Sequence, residues 1–406
     1  MRNQPPDLVR SKSQRVESID RLRGLVMVLM ALDHVREYFG PTLFAPESIG
    51  ETTPGWFATR WVTHICAPVF VFLAGTSVYL YLSDGRRTRA EASRFLLKRG
   101  LWLIVLELVV LNPAWVGSMY PYVGFFLFVQ VIWVIGWSMI VLAGLIWLPP
   151  AVVALIGAAM VGAHNLFDGV SVPSNPFVMT PAQEVWTVLH VGRTPITIGD
   201  LLVAVIYPLV PWPGVMALGY AFGVVARRPQ RLRVTWSLVL GVVGTLTFVG
   251  LRWWNGYGDP DPWEVSDRGD LFTAMSFLNT EKYPPSLLFL LMTLGPALLI
   301  LTLLEPRRLP GREVLGVFGR VPLFYYLMHI PLIHMLAIAG ALAMSRPVGW
   351  WWGPEVGAEF PEGYEPSLPL VYGMWILVTA ILYPVCRWYD QFRRHNRGRW
   401  KALSYL

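Results

Sequence analysis

Arg23 and His34 are eleven residues apart, and every residue from Gly24 to Leu32 is apolar or glycine. On an α-helix eleven steps make three turns and ~20°, so the two side chains share one face about 16 Å apart along the axis. A guanidinium at one end and an imidazole at the other could bind the two ends of one long ligand. Arg21 stands beside the first, and Asp33 and Arg36 beside the second. Histidine is the group here suited to take a proton near neutral pH, and Asp33 could orient it only if folding brings the two side chains together. His64 lies at a similar depth in the next apolar stretch.

Glu107 sits alone in Leu103-Ile104-Val105-Leu106-Glu107-Leu108-Val109, where an ionised carboxylate needs a partner or a proton. Asn112 and Gln130 are polar groups in similarly apolar surroundings. Tyr325 and His329 are spaced i,i+4 and share a helix face, with His334 ~140° away. The chain has no CxxC, HExxH or GxxxxGK[ST] and no His/carboxylate spacing that suggests a metal.

The elements that carry these residues are membrane helices. Hydrophobic residues make up 54% of the chain and charged ones 15%, with 19 Trp and a mean hydropathy of +0.48, which excludes an ordinary soluble domain. Apolar segments predict an all-α polytopic membrane protein of about ten transmembrane helices: 22–40, 62–82, 96–116, 122–147, 150–166, 200–226, 233–251, 285–304, 315–343 and 369–387. Most of the 33 Lys and Arg fall between spans on one side, and acidic clusters such as Asp259, Asp261, Glu264 and Asp267 fall on the other. The positive-inside rule then puts both termini in the cytosol. It also makes the net charge of +7 a topology signal and no argument for nucleic-acid binding.

Residues 1–20 read as a basic cytosolic tail, 21–390 as the membrane domain and 391–406 as a second basic cytosolic tail. Pro113, Pro208, Pro211, Pro213, Pro322 and Pro331 interrupt spans, which predicts kinked helices around a central cavity. The long outer loops carry Trp253, Trp254, Trp263 and Trp350 to Trp352, either an interfacial belt or a platform for stacking sugars. Cys66 and Cys386 are at opposite ends of their spans, too far apart to bridge.

Several strings together carry a family resemblance. They are Ser18-Ile19-Asp20-Arg21-Leu22-Arg23-Gly24, Asp33-His34, Thr63-His64-Ile65-Cys66-Ala67-Pro68, Asn112-Pro113, Pro213-Gly214-Val215-Met216-Ala217-Leu218-Gly219-Tyr220 and Gly319-Arg320-Val321-Pro322-Leu323-Phe324-Tyr325-Tyr326-Leu327-Met328-His329. The chain, from about 15 to 395, resembles bacterial members of the heparan-α-glucosaminide N-acetyltransferase catalytic-domain family. That family lies within the transmembrane acyltransferases, whose acyltransferase-3 members carry a basic residue, ten residues and then histidine in the first helix, as Arg23 and His34 do here.

The resemblance implies a transmembrane acyltransferase of the bacterial inner membrane. It would move an acyl group, commonly acetyl, from cytosolic acetyl-CoA or another acyl-CoA to a glycan or small-molecule acceptor at the outer face. Arg21 and Arg23 would hold the donor's phosphates, and His34 would act as general base or acyl carrier, with Asp33 and His64 at the same centre. Arg36, Glu107, Asn112, Gln130, Tyr325 and His329 would line the cavity. The family's lysosomal member has its catalytic histidine in the loop after the first span, where this chain has no histidine near Pro54, so the role falls to His34 or His64. The competing reading from the residues is a proton-coupled transporter of a small polar solute, since broken helices and buried ionisable groups suit both. Oligomeric state stays open, a homodimer among the options.

Overall fold

The computed structural model describes residues 16–40, 42, 44–85, 87–116, 126–306, 310–345, 348 and 365–396. Helix α1 (Glu17–Phe39) is followed by α2 (Pro54–Thr63), α3 (Cys66–Ser83) and α4 (Arg89–Leu106), which runs through a π-helical turn at Glu107–Leu111 into α5 (Asn112–Val116). Then come β1 (Phe126–Val129), α6 (Val131–Leu145), α7 (Pro150–Ala163), α8 (Pro181–Trp186), β2 (Pro195–Ile198) and β3 (Leu201–Val205). The chain continues through α9 (Trp212–Ala226), α10 (Gln230–Trp254), α11 (Asp270–Leu278), α12 (Leu287–Leu303), α13 (Arg312–Arg320), α14 (Pro322–Ala343) and α15 (Leu368–His395).

Among the described residues, five helical stretches are long and apolar enough to cross a membrane: Pro54–Ser83, Pro150–Phe167, Gln230–Trp254, Pro322–Ala343 and Leu368–His395. Three shorter apolar helices, Val131–Leu145, Trp212–Ala226 and Leu287–Leu303, accompany them. Sequence chemistry sets several boundaries. Thr88 caps α4 in a reciprocal box with Glu91, and Ser286 caps α12 by accepting from the Phe289 N–H. Glu17 and Asp20 lie in the first turn of α1 and Arg36 in its last, matching the helix dipole.

The structure departs from the expected spans in four places. The expected 315–343 is two helices, α13 ending at Arg320 and α14 starting at Pro322. The segment 200–226 is not one helix: its first part is β3, and only Trp212–Ala226 is helical. Thr197-Ile198-Gly199-Asp200-Leu201 makes a two-residue hairpin turn between β2 and β3, with Gly199 at φ +59. Similarly, 126–129 of the expected fourth span forms strand β1, parallel to β3, which gives a sheet of order β1-β3-β2. A short apolar run fits a strand as well as a helix, and Pro208 breaks a helix that would run through it. Finally, α1 begins at Glu17 with Ser18, Ile19 and Asp20 buried, inside the stretch expected as tail, and α15 runs on to His395.

Helix α1 is the hub, packed on α2, α3, α12, α13, α14 and α15. Its crossing with α13 is backbone to backbone. A Cβ on Gly24 would come within 1.8 Å of the Leu315 carbonyl oxygen, and one on Gly319 within 1.7 Å of the Asp20 oxygen. Only glycine permits that approach. Pro331 and Pro384 lie inside α14 and α15. Cys66 and Cys386 are both free and buried.

Candidate functional site

His34, one turn before the end of α1, meets His329 from the middle of α14. His34 Nδ1 and His329 Nε2 are 2.7 Å apart, and the rings stack at 4.9 Å. His329 Nδ1 lies 2.7 Å from the carbonyl oxygen of Tyr326 and 3.2 Å from that of Tyr325. A carbonyl oxygen only accepts, so the proton of the neutral His329 ring is on Nδ1 and its Nε2 accepts in turn from His34 Nδ1–H. The consequence is an open lone pair on His34 Nε2. Trp115 stands edge-on to His34 at 4.8 Å and Tyr326 at 6.5 Å, while Tyr325 stacks on His329 at 5.4 Å. The i,i+4 pairing of Tyr325 with His329 thus places both rings where spacing put them, and both are fully buried.

Asp33 does not orient His34. Its carboxylate accepts two hydrogen bonds from Arg60 Nη1, at 2.8 and 2.6 Å, and a longer one from Arg36 Nη2 at 3.3 Å. Adjacent helical residues point ~100° apart, so folding does not bring the two side chains together, and His329 stands beside His34 instead. Arg60 bridges on to Glu47 Oε1 at 2.6 Å, and Glu47 Oε1 lies 3.6 Å from His64 Nε2. His64 is 2% exposed and belongs to this second network, packed on Phe289 at 5.4 Å. Burial acts to raise the Glu47 carboxyl, but neighbouring His64 and Arg60 outweigh it and hold it below the usual carboxylate range.

At the other end of α1, Arg23 donates to the Gly319 carbonyl at 3.1 Å, to Ser77 Oγ at 2.8 Å and to Asp20 at 3.3 Å, with its side chain 16% exposed. Arg21 is 3% exposed and its Nη1 donates to the carbonyl oxygens of Leu304, at 2.7 Å, and Pro306, at 3.1 Å. That guanidinium closes the C-terminal end of α12 and also bonds Glu17 through Nη2.

The remaining candidates divide. Glu107 is fully buried in the π-helical turn and faces the peptide groups of Gln130, Ile132 and Trp133 where α6 begins. Gln130 is the residue preceding that helix. Asn112 pins a strand: its Nδ2 donates to the Phe128 and Glu107 carbonyls at 2.8 and 3.0 Å, and its Oδ1 accepts from the Phe128 N–H at 2.9 Å. None of these three hydrogen-bonds His34. A cavity of about 210 Å³ lies away from that residue, lined by apolar groups with His164, Trp186 and His190. Trp253 and Trp254 are 74% and 67% exposed, and Trp350 to Trp352 lie outside the described residues.

The residues the sequence did not single out are Arg60, Glu47 and Lys282. Lys282 belongs to the loop before α12 and is 7% exposed. Its turn is held by Asp259, whose Oδ2 accepts from the Glu281 N–H at 3.0 Å and from Ser286 Oγ at 2.6 Å. Beside it, Tyr283 and Tyr207 bring their hydroxyls to 3.5 Å.

No curated protein matches the chain. The family model for heparan-alpha-glucosaminide N-acetyltransferase, catalytic, matches residues 15–253, more than half of it. The match contains Arg23, Asp33, His34, Arg60, His64 and Glu107, and ends before Lys282 and His329. With apolar helices of membrane-spanning length and that match together, the chain is a membrane protein and belongs to the heparan-α-glucosaminide N-acetyltransferase catalytic-domain family.

Proposed function

We propose that the protein transfers an acyl group, acetyl in the first instance, from cytosolic acyl-CoA to a hydroxyl or amine of an acceptor at the opposite face of a bacterial inner membrane. The observation that carries this reading is the His34–His329 pair, because it leaves Nε2 of His34 as a lone pair in fixed orientation. In the proposed step the acceptor's O–H or N–H gives its proton to His34 Nε2 while its oxygen or nitrogen bonds to the thioester carbonyl carbon. The C–S bond then breaks, and the imidazolium proton goes to the departing thiolate. An acyl-histidine route would use the same lone pair as nucleophile.

Arg23 is the residue assigned to the donor's phosphates. It shares a face of α1 with His34, about 16 Å away, and its side chain retains exposed surface. Arg21 is assigned no such role, because its side chain is the more deeply buried of the two, at 4% exposed against 16%. A proton-coupled carrier gives no reason for a cation on the same face as a histidine with an oriented lone pair, so transfer is the favoured reading.

The test is calorimetric titration of acetyl-CoA into purified protein in nanodiscs, with Arg23→Ala and His34→Ala. Saturable binding that weakens with Arg23→Ala and survives His34→Ala is expected. Absence of acetyl-CoA binding to folded wild type would overturn the proposal in favour of transport.

A further inference from the structure

Lys282 is an ammonium group carried by a loop and buried where helices meet. It is 7% exposed, and among the described residues it makes no hydrogen bond or ion pair through its side chain. The nearby carboxylates are all engaged elsewhere: Asp33 and Glu47 by Arg60, Asp33 and Glu37 by Arg36. Its Nζ lies over the Tyr283 ring, 5.0 Å from the centroid, a weaker partner for an ammonium than the anion that could join it there.

The loop is built to hold the group there. Asp259 ties both ends of the turn Glu281 to Ser286, Lys282 and Pro285 form an isolated bridge, and Asn279 Nδ2 donates to the Glu47 carbonyl at 3.0 Å. That last bond docks the loop on the network that reaches Asp33 through Arg60, one residue from His34. The Tyr207 and Tyr283 hydroxyls stand alongside as further polar groups.

We propose that Lys282 anchors an anionic group of the acceptor, so that the molecule acylated at His34 carries a carboxylate or a phosphate in addition to its reacting hydroxyl or amine. This rests on the acyl-transfer reading for the role of His34, but the anion site itself is tested without any turnover. The ammonium pairs with the acceptor's negative group while the tyrosine hydroxyls bond its polar edge. A neutral sugar lacks the group that satisfies Lys282, and is discriminated against for that reason.

The experiment measures thermal stabilisation of the full chain in detergent by glucuronate, glucose 6-phosphate, inorganic phosphate and, as the neutral control, glucose. Wild type, Lys282→Met and Lys282→Arg are compared, each also with acetyl-CoA. Expected is stabilisation of wild type by at least one anionic probe and not by glucose, lost in Lys282→Met and retained at least in part in Lys282→Arg. Glucuronate alone would identify a carboxylate; the two phosphate probes alone, a phosphate. No anion-dependent stabilisation of folded wild type, or the same stabilisation in Lys282→Met, overturns the proposal. If Lys282→Met does not fold, wild type and Lys282→Arg decide it. Loss of acetyl-CoA binding with anion binding intact would instead overturn the acyl-transfer reading alone.

Discussion

His329 fixes the tautomer of His34: with Nδ1 of His329 committed to the Tyr326 carbonyl, its Nε2 accepts the His34 Nδ1 proton across 2.7 Å. The arrangement does for imidazole with imidazole what a carboxylate does in a hydrolytic triad, without placing a fixed charge at that depth. His34→Ala should lower acyl transfer by roughly 10²- to 10⁴-fold, the usual worth of a general base. His329→Ala should also reduce turnover, and His329→Gln should recover part of it because the Gln carbonyl can accept from Nδ1–H. Turnover per folded protein checks this; unaltered turnover in His329→Ala would remove the relay.

The Asp33–Arg60 pair should matter to stability more than to proton transfer. Asp33→Asn leaves the buried Arg60 with one fewer charge partner, and breaking such a pair typically costs about 3–5 kcal/mol. A clear fall in the thermal midpoint in detergent is expected, and Glu47→Gln should produce a smaller one.

Asp259 supplies a pH dependence. Burial pushes its carboxyl up to about 6, against the Ser286 hydroxyl and the Arg252 charge, which act to lower it. Because the folded value lies above the unfolded value of ~3.9, the native state binds the extra proton between those two values, and stability contributed by this group falls as pH rises from about 4 to about 6. Asp259→Asn should flatten that part of the stability profile. A profile identical to wild type from pH 4 to 6 would show that Asp259 does not titrate there.

Gly24→Ala should separate α1 from α13, since the added methyl would sit 1.8 Å from the Leu315 oxygen, which is backbone and cannot rotate away. Overpacking of this kind costs about 1–3 kcal/mol or more. It should also weaken the Arg23 bond to Gly319 and with it acetyl-CoA binding. Gly340→Ala on α14, where an added Cβ meets nothing within 4 Å, is the matched control and should leave the midpoint within a degree or two of wild type.

What the sequence made legible depended on distance along the chain. Arg23 with His34, and Tyr325 with His329, share faces because one helix carries each pair, and helical period is enough to place them. The partnership of His34 with His329 joins residues 295 apart, and no local pattern encodes it. The partner of Asp33 is hidden for the same reason, since Arg60 stands on a different helix. Lys282 looked like one more charge in a polar loop, because only the folded turn around Asp259 carries it inward. The sheet was hidden differently. Its strands are as apolar as the spans around them, so hydropathy could not separate 201–205 from a helix, and pairing with β1 decides the matter.

Strand β1 is an edge of that sheet, and a bare edge offers N–H and C=O groups to any other strand that comes near. At Phe128 the side-chain amide of Asn112 occupies both, donating to the oxygen and accepting from the nitrogen as a neighbouring peptide would. A single carboxamide thus stands in for a fourth strand at that residue, leaving the Phe128 peptide groups no opening for another chain.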